Sequence, residues 1–92
     1  MLLLPETVTI AQARDVLRML AQSQPRDGRD GSALTIDASA LRRFDSSALA
    51  VLLETARLAR AWGRRFVVHQ PPPDLVRLAD LYGVKDLLFD AA

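Results

Sequence analysis

"FDSSALAVLLETARLARAWG", Phe44 to Gly63, decides how the rest of the chain is read. An aspartate and two serines stand in front of an apolar run, and a glycine closes it. Asp and Ser are favoured N-caps because a side-chain oxygen accepts from an otherwise unpaired N–H at the helix start. Asp45 also lies at the positive end of the helix dipole. On a helical wheel Leu49, Leu52, Leu53, Ala56 and Ala59 share one broad face, with Glu54, Arg57, Arg60 and Ala61 opposite. The pattern predicts a helix from Ser46 to Trp62 that stops at Gly63.

Extended segments flank this helix. "ALTID", Ala33–Asp37, alternates apolar and polar residues and is rich in β-branched types, so it predicts a strand. "RFVVH", Arg65–His69, predicts another. Between the first strand and the cap, "ASALRRF" fits a loop or a short helical turn ending at Phe44.

Further toward the N-terminus, Thr9 and Gln12 form a T-x-x-Q capping box, which places a helix start near Ile10. Ile10, Ala13, Leu17 and Leu20 then recur at helical spacing, widened by Val16 and Ala21. Arg14, Asp15, Arg18 and Gln22 take the wet side. Leu2–Leu4, closed by Pro5, predicts a single strand before this helix. "PRDGRDGS", Pro25–Ser32, is a polar turn-rich loop.

Toward the C-terminus, "QPPPDLVRLADLYGV" starts a helix at its prolines, where a missing N–H does little harm. Leu75, Leu78, Ala79 and Tyr82 form its inner face and Gly83 ends it. "KDLLFD" fits a last short strand or a helical turn. Strands alternating with helices predict a single α/β domain over residues 1–92. Its sheet is expected to be mixed but mostly parallel, of about four strands, with helices packed against it.

Bulk properties narrow the function. The 92 residues suit one hydrophobic core. Half are hydrophobic, a quarter are charged and the net charge is +1, so the chain is globular and no nucleic-acid partner is expected. The arginines at 42, 43, 57, 60, 64 and 65 are explained first as solvated faces. The absence of cysteine excludes disulfides and thiolate metal sites. "MLLLPET" is too short for a signal-peptide core or a membrane span, so a cytoplasmic protein without direct membrane insertion is expected.

Catalytic patterns are missing. His69 has no companion at metal-ligand spacing, and no phosphate-cradling glycine loop occurs. Ser46 and Ser47 lack a nucleophile elbow. No cofactor, no metal and no enzymatic activity are expected; the pattern is that of a binding or regulatory module.

The cap itself is the candidate site. A helix N-terminus favours anions, and a phosphate on Ser46 would bring a charge of about −1.5 to −2 beside its N–H groups and beside Asp45. Such a group would switch a binding face with little change in fold.

The run from "LTIDASALRRFDSSALAVLLE" through "LYGVKDLL" resembles a STAS domain, the family of bacterial anti-anti-sigma factors and sulfate-transporter tails. The resemblance spans nearly the whole chain. In the family the residue after the aspartate is the phosphorylatable serine or threonine, which carries over to Asp45 and Ser46, with Ser47 the neighbour. Anti-anti-sigma factors usually read D-S-S-G-L-G; here Ala48 and Ala50 replace both glycines. "LYGV" with the following "LL", and the single early strand, are similar to the MlaB branch, the STAS subunits of the Mla phospholipid transporter.

That branch implies a cytoplasmic subunit, peripheral to the inner membrane, bound to the MlaF-like ATPase of an ABC complex that maintains outer-membrane lipid asymmetry. The residue at the Ser46 position then belongs to the ATPase-binding surface. The other branch implies an anti-sigma factor antagonist whose Ser46 is phosphorylated by a kinase-like anti-sigma factor.

Ser47, Val51, Leu58 and Trp62 fall on one edge of the same helix, between its core face and its arginines. They read either as peripheral core or as an apolar strip for a partner, with Arg42 and Arg43 as a polar rim. Trp and Arg are enriched at interface hot spots.

Overall fold

The computed structural model describes residues 2–23 and 33–89. The loop expected over Pro25–Ser32, Asp90 and the side chain of Ala21 lie outside the described residues. The elements run β1 (Leu2–Leu3), β2 (Thr7–Val8), α1 (Ala13–Ser23), β3 (Leu34–Asp37), β4 (Arg43–Phe44), α2 (Ser46–Ala61), β5 (Phe66–His69), α3 (Pro73–Leu81) and α4 (Lys85–Leu88).

Among the described residues every strand pairing is parallel. One sheet has the order β1-β3-β5, with Leu2 opposite Ile36 and Leu34 opposite Phe66. A smaller sheet pairs β2 with β4, Thr7 opposite Arg43. The expected α/β class and parallel pairing hold, but among the described residues five short strands in two sheets replace a single mixed sheet of about four.

The extra strands have a physical cause. Pro5 has no N–H to give to a ladder. Leu4 N–H still reaches the carbonyl of Asp37 at 2.9 Å. Beyond the proline the chain changes partner, and the Glu6 carbonyl accepts from Arg42 N–H at 2.8 Å and Arg43 N–H at 3.0 Å. The single early strand is therefore two, and the ambiguous segment before the cap ends in strand β4.

Helix α1 begins at Ala13, not near Ile10. The capping box forms in part: Thr9 N–H donates to Gln12 Oε1 at 3.0 Å. The Thr9 hydroxyl turns to the same oxygen at 2.6 Å instead of capping the backbone. The box therefore closes a turn ahead of the helix and leaves Ile10 outside the core, 80 % exposed.

Helices α2 and α3 end in the same way. Gly63 N–H bonds to Arg60 O at 3.0 Å and Arg64 N–H to Ala59 O at 2.8 Å. Gly83 N–H bonds to Asp80 O at 3.0 Å and Val84 N–H to Ala79 O at 2.9 Å. Both are Schellman closures, and both glycines take the positive φ that such closures need, +70° and +75°. Tyr82, expected on the inner face of α3, sits at its C-cap and is exposed, because the helix ends one residue earlier. "KDLL" forms the helical turn α4.

The core gathers Leu20 from α1, Ile36 from β3, Leu41 from the segment before β4, Leu49 and Leu52 from α2, Leu75 from α3 and Leu88 from α4, all fully buried. Each such side chain contributes roughly 1.5–3 kcal/mol by leaving water. Helix α1 packs along α2, and α2 also meets β5 and α4. The central helix is thereby held from several sides, and its N-terminal end is fixed in place.

Candidate functional site

The N-terminal end of α2 is built around one carboxylate. Asp45 is extended, with φ −130° and ψ −166°, as an N-cap should be. Its Oδ1 accepts from Ser47 N–H at 2.8 Å. Its Oδ2 accepts from Ile10 N–H at 3.2 Å, thirty-five residues away in sequence. The bond to Ser47 N–H is the main cause that holds the Asp45 carboxyl below its usual pKa, and the one to Ile10 N–H adds to it.

Ser46, the first helical residue, is exposed, and Ser47 is half-buried. Ala48 and Leu49 turn directly into the core. The cap is thus rigidly placed by core packing one residue further on, while the Ser46 side chain faces water. Arg42 and Arg43 are exposed just upstream. The Arg42 guanidinium donates to the Ser39 carbonyl at 3.0 Å, which orients it along the surface.

Asp45, Ser46 and Ser47 are therefore brought together with Arg42 and Arg43 close by in the chain. Leu58 and Trp62 are not part of that cluster. They are half-buried at the far end of α2, roughly 18–24 Å from Ser46 at 1.5 Å per residue. Val51 is corrected outright: at 2 % exposure it belongs to the core, packed with Leu52 and Ala48, and it lines no surface. The expected strip is interrupted, because Val51 turns into the core between the half-buried Ser47 and Leu58.

Sequence reasoning missed Ile10. Its side chain is mostly exposed, and its backbone N–H is tied to the same carboxylate that caps α2. The T-x-x-Q spacing marks residues 9–12 as a turn as readily as a helix start, but no local signal ties Ile10 to Asp45.

The domain is parallel α/β, with Asp45 capping α2 and Ser46 exposed beside it. Residues 3–89 match the family model described as MlaB, STAS domain, and the chain belongs to that family. No curated protein matches the chain significantly. No helix among the described residues is long and apolar enough to cross a membrane.

Proposed function

We propose that the chain is a non-enzymatic subunit of an Mla-type ABC phospholipid transporter. It docks on the cytoplasmic ATPase through the N-terminal end of α2 and supports the assembly or activity of that ATPase. The family match over residues 3–89 carries this proposal. The surface supports it: exposed Ser46 lies next to the Asp45 cap, which also holds the backbone of exposed Ile10, and Arg42 and Arg43 supply a polar rim. An apolar side chain inside a polar rim is the usual make-up of a contact patch.

A second reading is favoured by one observation. Ser46 presents an exposed hydroxyl at the first turn of a long helix, where a phosphate would meet the positive end of the helix dipole. In that case the protein is an anti-sigma factor antagonist, and its partner is a kinase-like anti-sigma factor.

Affinity purification of the tagged protein from detergent-solubilised source cells separates the two. Recovery of an ABC ATPase with its permease supports the transporter reading. Recovery of a kinase-like anti-sigma factor, with phosphate on Ser46 in the unbound fraction, overturns it.

A further inference from the structure

The opposite end of the molecule has a feature that the cap does not use. Strand β5 is the last strand of its sheet, so one of its edges is open among the described residues. The ladder to β3 fixes which groups face that edge. Leu34 N–H bonds to the Arg65 carbonyl at 2.7 Å, and Ala38 N–H bonds to the His69 carbonyl at 2.9 Å. In a parallel ladder alternate residues serve one neighbour, so Arg65, Val67 and His69 bond toward β3. The N–H and C=O groups of Phe66 and Val68 then point to the open side. A free row of such groups is a template for another strand.

Beside β5 lies a cavity of about 490 Å³, lined by β5, α4 and the C-terminal end of α2. Its apolar lining includes Phe66, Val68, Leu88 and Phe89. Arg60 and Arg65, both exposed, stand on its rim, with Asp86 as the acidic group in the lining. A second copy of this chain would bring further arginines to a cavity that already holds Arg60 and Arg65 with one acidic residue, which disfavours self-pairing. The charge balance favours a guest that carries carboxylates.

We infer that the open edge of β5 binds an extended peptide segment with alternating apolar and acidic side chains. Its backbone pairs with Phe66 and Val68, its apolar side chains enter the cavity, and its carboxylates meet Arg60 and Arg65. Strand addition of this kind draws affinity from main-chain bonds and selectivity from alternate side chains. The site lies at the far end of α2 from Asp45, about 22 Å along the helix axis. It does not depend on which partner holds the cap.

The test is an amide NMR titration of the full chain with a short peptide alternating valine and glutamate. Two control peptides carry lysine in place of glutamate, or N-methyl groups on alternate amides. The glutamate peptide should move the amide signals of Phe66, Val68, Leu88 and Phe89 at about 1 mM. The lysine and N-methylated peptides should bind at least tenfold more weakly. Arg60→Glu with Arg65→Glu should weaken the glutamate peptide at least tenfold, and Arg60→Gln with Arg65→Gln serves if the first pair disturbs the spectrum.

Absence of shifts overturns the inference. So does equal binding of the N-methylated peptide, which would mean ion pairing without strand addition. Arginine-dependent binding to phosphatidylglycerol vesicles with no response to peptide overturns it in favour of a lipid surface.

Discussion

Asp45 ties the start of α2 to Ile10. One carboxylate oxygen caps its own helix through Ser47 N–H at 2.8 Å. The other holds the turn before α1 through Ile10 N–H at 3.2 Å. Both bonds need the same group, so the cap and the exposed apolar side chain beside it share one electrostatic anchor. Both weaken together if that group is lost or protonated.

The pH dependence follows from this anchor. The folded Asp45 pKa lies below the ordinary value of 3.8, chiefly because Ser47 N–H stabilises the carboxylate, with Ile10 N–H assisting. Stability from a depressed carboxyl is fully present above the unfolded pKa and is lost as pH falls through the folded one. Asp45→Ala should therefore lower Tm at pH 7, and its difference from the parent should shrink only below about pH 4. In the parent, the Ile10 and Ser47 amide signals should titrate together with a midpoint below 3.8. Separate midpoints would show that one carboxylate does not serve both.

Ser46 distinguishes a contact from a switch. It is exposed, and the cap bonds come from Asp45, so Ser46→Ala and Ser46→Asp should both leave Tm close to the parent. In the transporter reading Ser46→Ala causes a mild loss of ATPase capture in a pull-down, whereas Ser46→Asp places a new charge in the contact and abolishes it. Constitutive capture of an anti-sigma factor by Ser46→Ala would identify a phosphoswitch instead.

Val51 and Trp62 now part company. Val51 is buried among Ala48, Leu49 and Leu52, so Val51→Ala should cost about 1–3 kcal/mol in denaturant melts. Any change in partner capture by that variant should track the folded fraction. Trp62 is half-buried at the C-cap, where its backbone N–H, not its ring, bonds to Leu58 and Ala59. Trp62→Ala should weaken capture with a cooperative melt retained. Loss of the cooperative melt would place the ring in the core and remove it from any interface.

How far the sequence reached depends on range. The α2 boundaries, both glycine stops and the strands β3 and β5 were legible because caps, periodicity and turn residues are local signals. Strands β2 and β4 were not, because each is only two residues long and exists through pairing with the other. Val51 was misplaced because a helical wheel shows an edge but not the neighbour that covers it. At the site, Asp45 and Ser46 could be picked out from their types and order. Ile10 could not, since its role rests on a bond across thirty-five positions.

Gly63 tests the helix stop. Its φ of +70° is the left-handed conformation that L side chains avoid, yet nothing lies within 4 Å of where a Cβ would stand. Gly63→Ala should then cost about 1–2 kcal/mol from backbone strain alone. A larger loss would point to a steric clash, which the open surroundings argue against. The effect should be read by chemical denaturation at neutral pH.

Thr55 is the buried polar side chain in the middle of α2, 0 % exposed, and its hydroxyl donates to the Val51 carbonyl at 2.7 Å. That carbonyl is already the acceptor for the Thr55 backbone N–H, one helical turn on, so the hydroxyl bond is an addition and not a necessity. Thr55→Val removes donor and desolvation cost together while keeping nearly the same shape. It should leave stability within about 1 kcal/mol of the parent, of either sign. Thr55→Ala keeps the helix equally well but empties space between α2 and its neighbours, so it should be the worse variant by about 1 kcal/mol or more. If Thr55→Val proves as damaging as Thr55→Ala in the same melt, the hydroxyl holds a bond the core depends on, and packing is not the term that decides this position.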